Sequence, residues 1–406
     1  MPEGANPAAD YELGLRLLNA RAMQRVLGSM GDPYALVLRG ADDPYPLYAA
    51  IRERGPIHRS TTGSWVTADP GVIAEVLADP RWRMSGPDGS PAAEQPLPFY
   101  GYGTPGAEAD EHTRLRPHWQ PLVDPEALAA HRKTVERECL ARLDRIAGGE
   151  LKADLVADLM AGYAWPVATA ATGALLGVPA EALPRYAELC ADAEALQDSL
   201  LAAQPLALVR RIEDAVAGLD ELFGAAGAEG SDRAVRVLLS VAAVPATAHL
   251  VGNAVHALLA EPGGWAALSR DPDLAEAAVA ETLRYDPPVQ AEIRVAAAPV
   301  ELAGTELPAG GHLVMITAAA GRDETRHPEP GRFRLDRRAE PEPFTFAGGL
   351  HHLPVAPAAR TQAEAALRIL AEARPNLRPS GPPVYRRRAP VVRGPVELPV
   401  LGLGES

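Results

Sequence analysis

The stretch from Leu238 to Ala260 constrains the fold more than any other part of the sequence. It is long, poor in charge and rich in alanine, and such a segment suits either a membrane or the core of a large protein. Pro245, His249 and Asn253 interrupt its apolar character, and polar groups of this kind are costly in lipid. We therefore predict a buried central helix rather than a membrane span.

The composition is that of an acidic globular protein. Of the 406 residues 47% are hydrophobic, and the formal net charge is −14. This hydrophobic content allows a substantial core, whereas binding to nucleic acid or to anionic lipid requires clustered Lys and Arg. Residues 1–9 lack the basic start and the apolar core of a signal peptide. We expect a cytoplasmic protein whose partners include neither nucleic acid nor a membrane.

The two cysteines, Cys139 and Cys190, have no second ligand at metal-finger spacing, so we expect two buried thiols and no metal site.

Helical and extended patterns divide the rest of the chain. Residues 85–111 are rich in Gly, Pro and Ala, which predicts a long loop. Helices are predicted over Tyr45–Arg54, Pro70–Leu77, Lys152–Leu176, Pro184–Ala203, Pro205–Ala226, Asp273–Tyr285 and Ala358–Ala373, and strands over Ile57–Thr61, Ser64–Thr67, Glu301–Met315 and parts of Pro375–Leu401.

The first predicted helix spans Asp10–Met30, and Gly31-Asp32-Pro33 ends it. One stripe of this helix is apolar and consists of Leu15, Leu18, Ala22 and Val26, with Met23 and Leu27 beside it. A helix with such a stripe covers apolar surface, either on its own domain or on a partner.

Glu281-Thr282-Leu283-Arg284 is the most informative short motif, because Glu and Arg three residues apart share one helix face and can form a buried pair. Alone, Glu-x-x-Arg is common on solvated helices. Its specificity comes from the ordered segments downstream, which are Arg322-Asp323, Pro330-Gly331-Arg332-Phe333, Phe346-Ala347-Gly348-Gly349-Leu350-His351 and Ala359-Arg360. This ordered set resembles the bacterial cytochrome P-450 family, and the resemblance extends from about Ala41 to Pro399.

The resemblance implies a mainly α fold with small β sheets. We accordingly divide the chain into an N-terminal extension with the amphipathic helix, residues 1–38, and a cytochrome P-450-like domain, residues 39–406. The resemblance also implies a structural cluster of Glu281, Arg284 and Arg332. The positions at which family members contact haem propionates are His112, Arg116, Arg294 and His351. The alternative, which we favour, is that His112, Arg116 and Arg294 bind carboxylates of the chain itself or water in an empty cleft.

Two departures from the family pattern concern the chemistry that the fold normally supports. Leu353 occupies the cysteine position of the family's haem loop, and leucine has no lone pair for iron. Ala347 and Val355 replace two glycines of that loop, which removes room for close backbone approach. On the central helix, Pro245 and Ala246 replace an acid and an alcohol that deliver protons to bound oxygen. Pro245 is also expected to kink this helix.

Histidine is the other residue type near Leu353 that can bind haem iron. His351 matches a position that is already histidine in the family, where it contacts a propionate. His352 precedes the ligand position by one residue, so its side chain is expected to point elsewhere. We therefore predict no iron ligand, no cofactor and no catalytic residue.

Both departures match the P-450-like auxiliary proteins that accompany antibiotic glycosyltransferases in actinomycetes, which also carry an N-terminal extension. The resemblance implies a non-catalytic helper, a pseudoenzyme, that binds a glycosyltransferase as a hetero-oligomer and activates or stabilises it. The glycosyltransferase would transfer a deoxysugar to a macrolide or an aromatic polyketide. Two alternatives remain open: a haem enzyme with non-thiolate ligation, and a small-molecule binding protein that uses the vacated haem cleft.

Overall fold

The computed structural model describes residues 7–85, 93, 109–150, 156–337, 343–345 and 352–404. Its α-helices are α1 (Pro7–Ser29), α2 (Pro33–Arg39), α3 (Tyr45–Arg52), α4 (Pro70–Ala78), α5 (Ala109–Trp119), α6 (Pro125–Arg145), α7 (Trp165–Leu175), α8 (Leu183–Asp192), α9 (Leu206–Ala225), α10 (Gly230–Ala260), α11 (Gly264–Arg270), α12 (Ala275–Tyr285), α13 (Thr317–Gly321) and α14 (His352–Ala373). Its strands are β1 (His58–Arg59), β2 (Trp65–Thr67), β3 (Trp82–Arg83), β4 (Ala157–Asp158), β5 (Glu292–Ala296), β6 (Val300–Leu302), β7 (Thr305–Leu307), β8 (His312–Met315), β9 (Arg378–Pro379), β10 (Val384–Tyr385), β11 (Pro395–Glu397) and β12 (Pro399–Leu401).

The central helix α10 forms the middle of the core. It packs against α14, α7, α12 and α9, and every residue from Ala243 to Val255 is buried. The helix is long and apolar enough to cross a membrane, but 78% of its most apolar window is buried inside the protein. The predicted buried central helix is therefore confirmed. Pro245 lies inside the helix, which continues on both sides of it.

The main sheet has the strand order β1-β2-β8-β5-β3. Strands β2 and β8 are parallel, with Val66 opposite Val314, whereas β5 is antiparallel to β8. The other strands form the smaller sheets β10-β11, β4-β12-β9 and β6-β7. A mainly helical domain with small sheets is the fold class that the sequence predicted.

The N-terminal helix α1 packs on the rest of the protein through one face only. Leu13, Leu17 and Gln24 are buried on this face, which contacts α2 and α9. An ion pair between Asp10 and Arg210 joins the first turn of α1 to α9. The predicted apolar stripe does not lie on this packed face. Its large residues, Leu15, Leu18 and Val26, are exposed together with Tyr11, Met23 and Met30.

A short helix that the sequence analysis missed, α2, begins where α1 ends. Asp32 is its N-cap, because one carboxylate oxygen accepts hydrogen bonds from the backbone amides of Tyr34 and Ala35 at 2.9 and 3.2 Å. Pro33 occupies the first helical position, where its missing N–H leaves no bond unmade. The residues that end the first helix thus also start the second.

Two predicted helices have different bounds in the structure. Residues 157–158, predicted as helix, form strand β4, because the Asp158 carboxylate accepts hydrogen bonds from the amides of Met160 and Leu398, both at 2.9 Å. A π-helical turn, Met160–Ala164, then leads into α7. The helix predicted over Pro184–Ala203 ends at Asp192. Most of the predicted loop over residues 85–111 lies outside the described residues.

Candidate functional site

A buried ion pair lies within α12, and its arginine also bonds to the segment that follows α13. Glu281 and Arg284 form two hydrogen bonds, from Nε to Oε2 and from Nη2 to Oε1, both 2.7 Å long. Each side chain is only 3% exposed. Arg284 also donates to the backbone carbonyls of Gly321, Pro330 and Arg332. Every guanidinium nitrogen of Arg284 therefore has an acceptor, as a buried charge requires.

The third arginine of this cluster is Arg337, so the assignment of Arg332 was wrong. Arg337 is 9% exposed, and its Nε lies 3.2 Å from Glu281 Oε1. The Arg332 side chain is 58% exposed and lies 3.3 Å from Glu329. The backbone of residue 332 directs its carbonyl toward Arg284, and its side chain extends to the surface. We call Glu281, Arg284 and Arg337 the inner cluster.

The described haem-propionate positions are already bonded within the chain. Arg294, buried on β5, donates from Nη2 to Glu292 Oε2 at 2.7 Å and from Nη1 to the carbonyl of Ile293 at 2.9 Å. Arg116, exposed on α5, donates from Nε to Gln120 Oε1 at 2.7 Å. Arg294 therefore binds a carboxylate of the chain itself, Glu292, which is the alternative to a haem propionate. The side chain of His112 and all of His351 lie outside the described residues.

The middle of the central helix carries no acid. Pro245 and Ala246 are buried there, and neither side chain can donate or accept a proton. Thr247 has a buried hydroxyl one residue later, which is rotated by about 100° around the helix axis from Ala246. Residues 245 and 246 therefore offer no route for protons.

Both thiols are buried in helices, as the sequence predicted. Cys139 lies on α6 and Cys190 on α8. Burial raises the pKa of each to about 12, so neither is a thiolate at neutral pH. Leu353 lies in the first turn of α14, and its side chain is outside the described residues.

The haem that the resemblance implies does not fit these residues. The chain's cysteines both lie outside residues 346–355, and they are buried as protonated thiols in α6 and α8. The guanidinium of Arg294 is bonded to Glu292. Among the described residues, therefore, no thiolate is available to bind haem iron. The guanidinium of Arg294 is likewise not available to bind a propionate.

A buried polar network, which the sequence analysis missed, links the central helix to the C-terminal segment. His249 Nε2 lies 2.8 Å from Glu194 Oε1, and Arg386 contacts both Glu194 and Asp198, at 3.5 and 2.7 Å. Asp198 also accepts hydrogen bonds from the backbone amides of residues 391–392 at 2.8 and 2.9 Å. Burial raises the pKa of Asp198 to about 6, against the opposite effects of Arg386 and these amides. The network holds residues 386–392 against the core.

Comparison with known proteins assigns the chain to a family. The model of the cytochrome P-450 family matches residues 270–342, which contain the inner cluster. The chain is also 31% identical to the cytochrome P-450 monooxygenase PikC of Streptomyces venezuelae, over 92% of this chain and 93% of PikC. The chain belongs to the cytochrome P-450 family. The structure of epothilone B-bound cytochrome P450epoK superposes with a TM-score of 0.76 at 24% identity, covering 90% of this chain and 98% of P450epoK, which confirms the cytochrome P-450 fold.

Streptomyces venezuelae also contains a relative that is more similar to this chain than PikC is. The chain is 43% identical to the protein DesVIII of Streptomyces venezuelae, over 97% of this chain and 94% of DesVIII. The name of DesVIII states no reaction, whereas that of PikC states one. Of these two relatives, the chain is therefore more similar to DesVIII, whose name states no reaction.

Proposed function

We propose that this chain is a non-catalytic member of the cytochrome P-450 family that binds a cytoplasmic glycosyltransferase of antibiotic biosynthesis and activates or stabilises it. The observation that carries the proposal is the apolar outer face of α1, which remains exposed although the opposite face of the same helix is already packed. We call this face the outer stripe, and it consists of Tyr11, Leu15, Leu18, Ala22, Val26 and Met30.

The outer stripe concentrates apolar surface to a degree that scattered exposure does not explain. Single exposed leucines are normal on proteins. Among the described residues, however, five of the nine exposed large hydrophobic side chains belong to α1, and a sixth, Met30, directly follows it; all six except Met23 lie on the stripe. The stripe runs from Tyr11 to Met30, so it extends for about 29 Å. A contiguous apolar face of this kind is typical of a surface that binds another protein.

The replacement of the residues that form the family's reaction centre supports a role that depends on a partner. Leu353 stands at the ligand position, and Pro245 and Ala246 stand at the proton-delivery positions. A fold without these groups acts through what it binds. The resemblance to auxiliary proteins of antibiotic glycosyltransferases supports a glycosyltransferase as this partner, in a hetero-oligomer, with a deoxysugar and a macrolide or aromatic polyketide as its substrates.

Selective binding is sufficient for such a helper to act. A protein that binds only the native state of its partner stabilises that state by about 2.7 kcal/mol at a hundredfold excess over the dissociation constant. A helper that binds the active conformation of its partner more tightly than the inactive one raises the population of the active conformation by the same mechanism. A stable interface of this type buries about 800 Å² on each partner, and the outer stripe can supply part of this area.

The test is co-expression with the glycosyltransferase encoded beside this gene. Leu18→Asp places a charge in the outer stripe, where the side chain is 58% exposed, so the isolated chain should fold normally. We expect loss of co-purification and a fall in sugar-transfer turnover of roughly tenfold, because a central apolar contact is replaced by a carboxylate.

Leu140→Asp is the matched control, because Leu140 is 50% exposed on α6, away from α1. It should leave co-purification and turnover unchanged. Equal glycosyltransferase solubility and turnover with and without this chain would refute the helper role. A stoichiometric thiolate-type haem spectrum of the purified chain would refute its non-catalytic character.

A further inference from the structure

Four arginines meet at one edge of the outer stripe, and no carboxylate of the described residues lies in ion-pair contact with them. Arg21 and Arg25 lie on α1, Arg39 ends α2, and Arg388 lies in the C-terminal segment. Within the part of the chain that the structure describes, none of the four forms an ion pair. Arg388 donates a hydrogen bond to Gln24 Oε1 at 3.0 Å. We call these four residues the outer cluster.

Close backbone packing brings the three segments together. A Cβ atom added to Gly28 of α1 would lie 3.2 Å from Arg39 Cδ, and one added to Gly40 would lie 2.8 Å from the amide nitrogen of Arg388. The two glycines therefore allow α1, α2 and the C-terminal segment to approach each other at the outer cluster. The arginines are held there by the fold rather than placed there by chance on a flexible loop.

The charges of the outer cluster are uncompensated. Burial lowers the pKa of the Arg388 guanidinium, and the positive charges of Arg21, Arg39 and Arg25 lower it further. The Nε of Arg21 is buried without a hydrogen-bond partner. Arg388 also has a φ of 56°, a left-handed conformation that is unfavourable for a residue with a side chain. Each of these features costs free energy in the isolated chain.

The overall charge makes this arrangement unusual. The chain has 53 Asp and Glu residues against 39 Lys and Arg, so carboxylates are in excess. Several other surface arginines have carboxylate partners within the chain, as Arg387 does with Asp42 at 3.5 Å. A local group of four cations without one is therefore complementary to a negative charge that another molecule supplies.

The position of the outer cluster indicates what that molecule is. Arg21 and Arg25 are three and seven residues after Leu18, so they lie along the flank of the outer stripe. A phosphate or a nucleotide would satisfy the arginines but would leave the apolar stripe uncovered. A protein segment with one apolar face and carboxylates along one side would cover both.

We propose that the outer stripe and the outer cluster together form one docking surface for an acidic, apolar-faced segment of the partner protein. This inference rests on the proposed function and deepens it by stating the chemistry of the partner's binding segment. Asp and Glu side chains of that segment bind the arginines, with which carboxylates form paired hydrogen bonds.

The test compares two charge reversals in the full-length chain, with the co-expressed glycosyltransferase as the probe. R21E/R25E reverses two members of the outer cluster. K133E/R137E is the control, because it reverses two exposed positively charged residues with the same spacing on α6 and changes the net charge equally. Calorimetric titration should show roughly tenfold or greater weakening for R21E/R25E and a change of less than about twofold for the control.

Salt gives a second readout. Raising the NaCl concentration should weaken binding of the unsubstituted chain more than binding of R21E/R25E, because screening acts on the charge pairs that this variant lacks. R21K/R25K should retain most of the affinity, since it keeps the charge. If R21E/R25E unfolds, the exposed single variant R25E replaces it with the same expected direction.

The possible outcomes separate the two proposals. If the unsubstituted chain neither binds nor activates the glycosyltransferase, the proposed function and this inference both fail. If it does both and R21E/R25E binds equally well, only the docking surface is refuted. Equal weakening by K133E/R137E would also refute it, because the effect would then reflect net charge. Binding of inorganic phosphate that R21E/R25E abolishes, with partner affinity unchanged, would assign the cluster to a small anion instead.

Discussion

The inner and outer clusters contain arginines in opposite circumstances. In the inner cluster, Arg284 and Arg337 share one carboxylate, Glu281, and donate their remaining hydrogen bonds to backbone carbonyls. In the outer cluster, Arg21 and Arg25 face other arginines and have no carboxylate partner among the described residues. A buried charge must be compensated within the chain, because water is excluded. A surface charge can remain uncompensated until another molecule binds.

The two clusters also belong to different parts of the sequence. The inner cluster lies within residues 270–342, which match the cytochrome P-450 family model. The outer cluster depends on α1, which the sequence analysis assigned to an extension before the family's domain. The inner cluster thus lies in the segment that the family model matches, whereas the outer cluster includes residues outside that segment.

The largest effect is expected from breaking the inner cluster. Arg284→Ala leaves the buried Glu281 carboxylate with Arg337 as its charged partner and the backbone amide of Arg334 as a neutral donor, and it removes three carbonyl contacts. The loss should be about 3–5 kcal/mol of unfolding free energy, which suffices to unfold many domains. Denaturant unfolding, or insolubility on expression, would show it. Soluble protein with an unchanged melting temperature would contradict the structural role of the cluster.

A smaller loss is expected for the third arginine. Arg337→Ala removes a partially buried partner of Glu281 while the Arg284 pair remains, so the cost should be about 1–3 kcal/mol. Arg332→Ala is the matched control and should cost less than about 1 kcal/mol, because its side chain is largely exposed. The same denaturant series measures both variants. A larger loss for Arg332→Ala than for Arg337→Ala would reverse the assignment made from the structure.

The smallest effect is expected in the outer cluster of the isolated chain. Arg25→Ala removes one of four mutually repelling charges, so the unfolding free energy should stay within about 0.5 kcal/mol or rise slightly. The difference from the unsubstituted chain should diminish in high salt. Melting temperatures at two salt concentrations test this. A marked destabilisation would mean that Arg25 has a stabilising partner within the chain, and the contrast between the clusters would fail.

Regular elements with a strong periodic signal were predictable from the sequence. The helix predicted over Pro205–Ala226 is observed as Leu206–Ala225, and the central helix was recognised from its composition. The helix predicted over Lys152–Leu176 was wrong at residues 157–158, because these two residues pair with a strand at the far end of the chain. Such pairing depends on residues that no local pattern contains.

The sequence alone determined the interactions that are local. Glu281 and Arg284 lie three residues apart on one helix, so helix geometry itself brings their side chains together. The apolar stripe of α1 follows from the same periodicity. Only the tertiary structure decided that this stripe faces outward, because the opposite face of α1 fits against α2 and α9. It also decided that Arg337 rather than Arg332 contacts Glu281, and that Arg388 joins arginines of the first two helices. These contacts join segments distant in the chain, and their distances are set by packing rather than by spacing in the sequence.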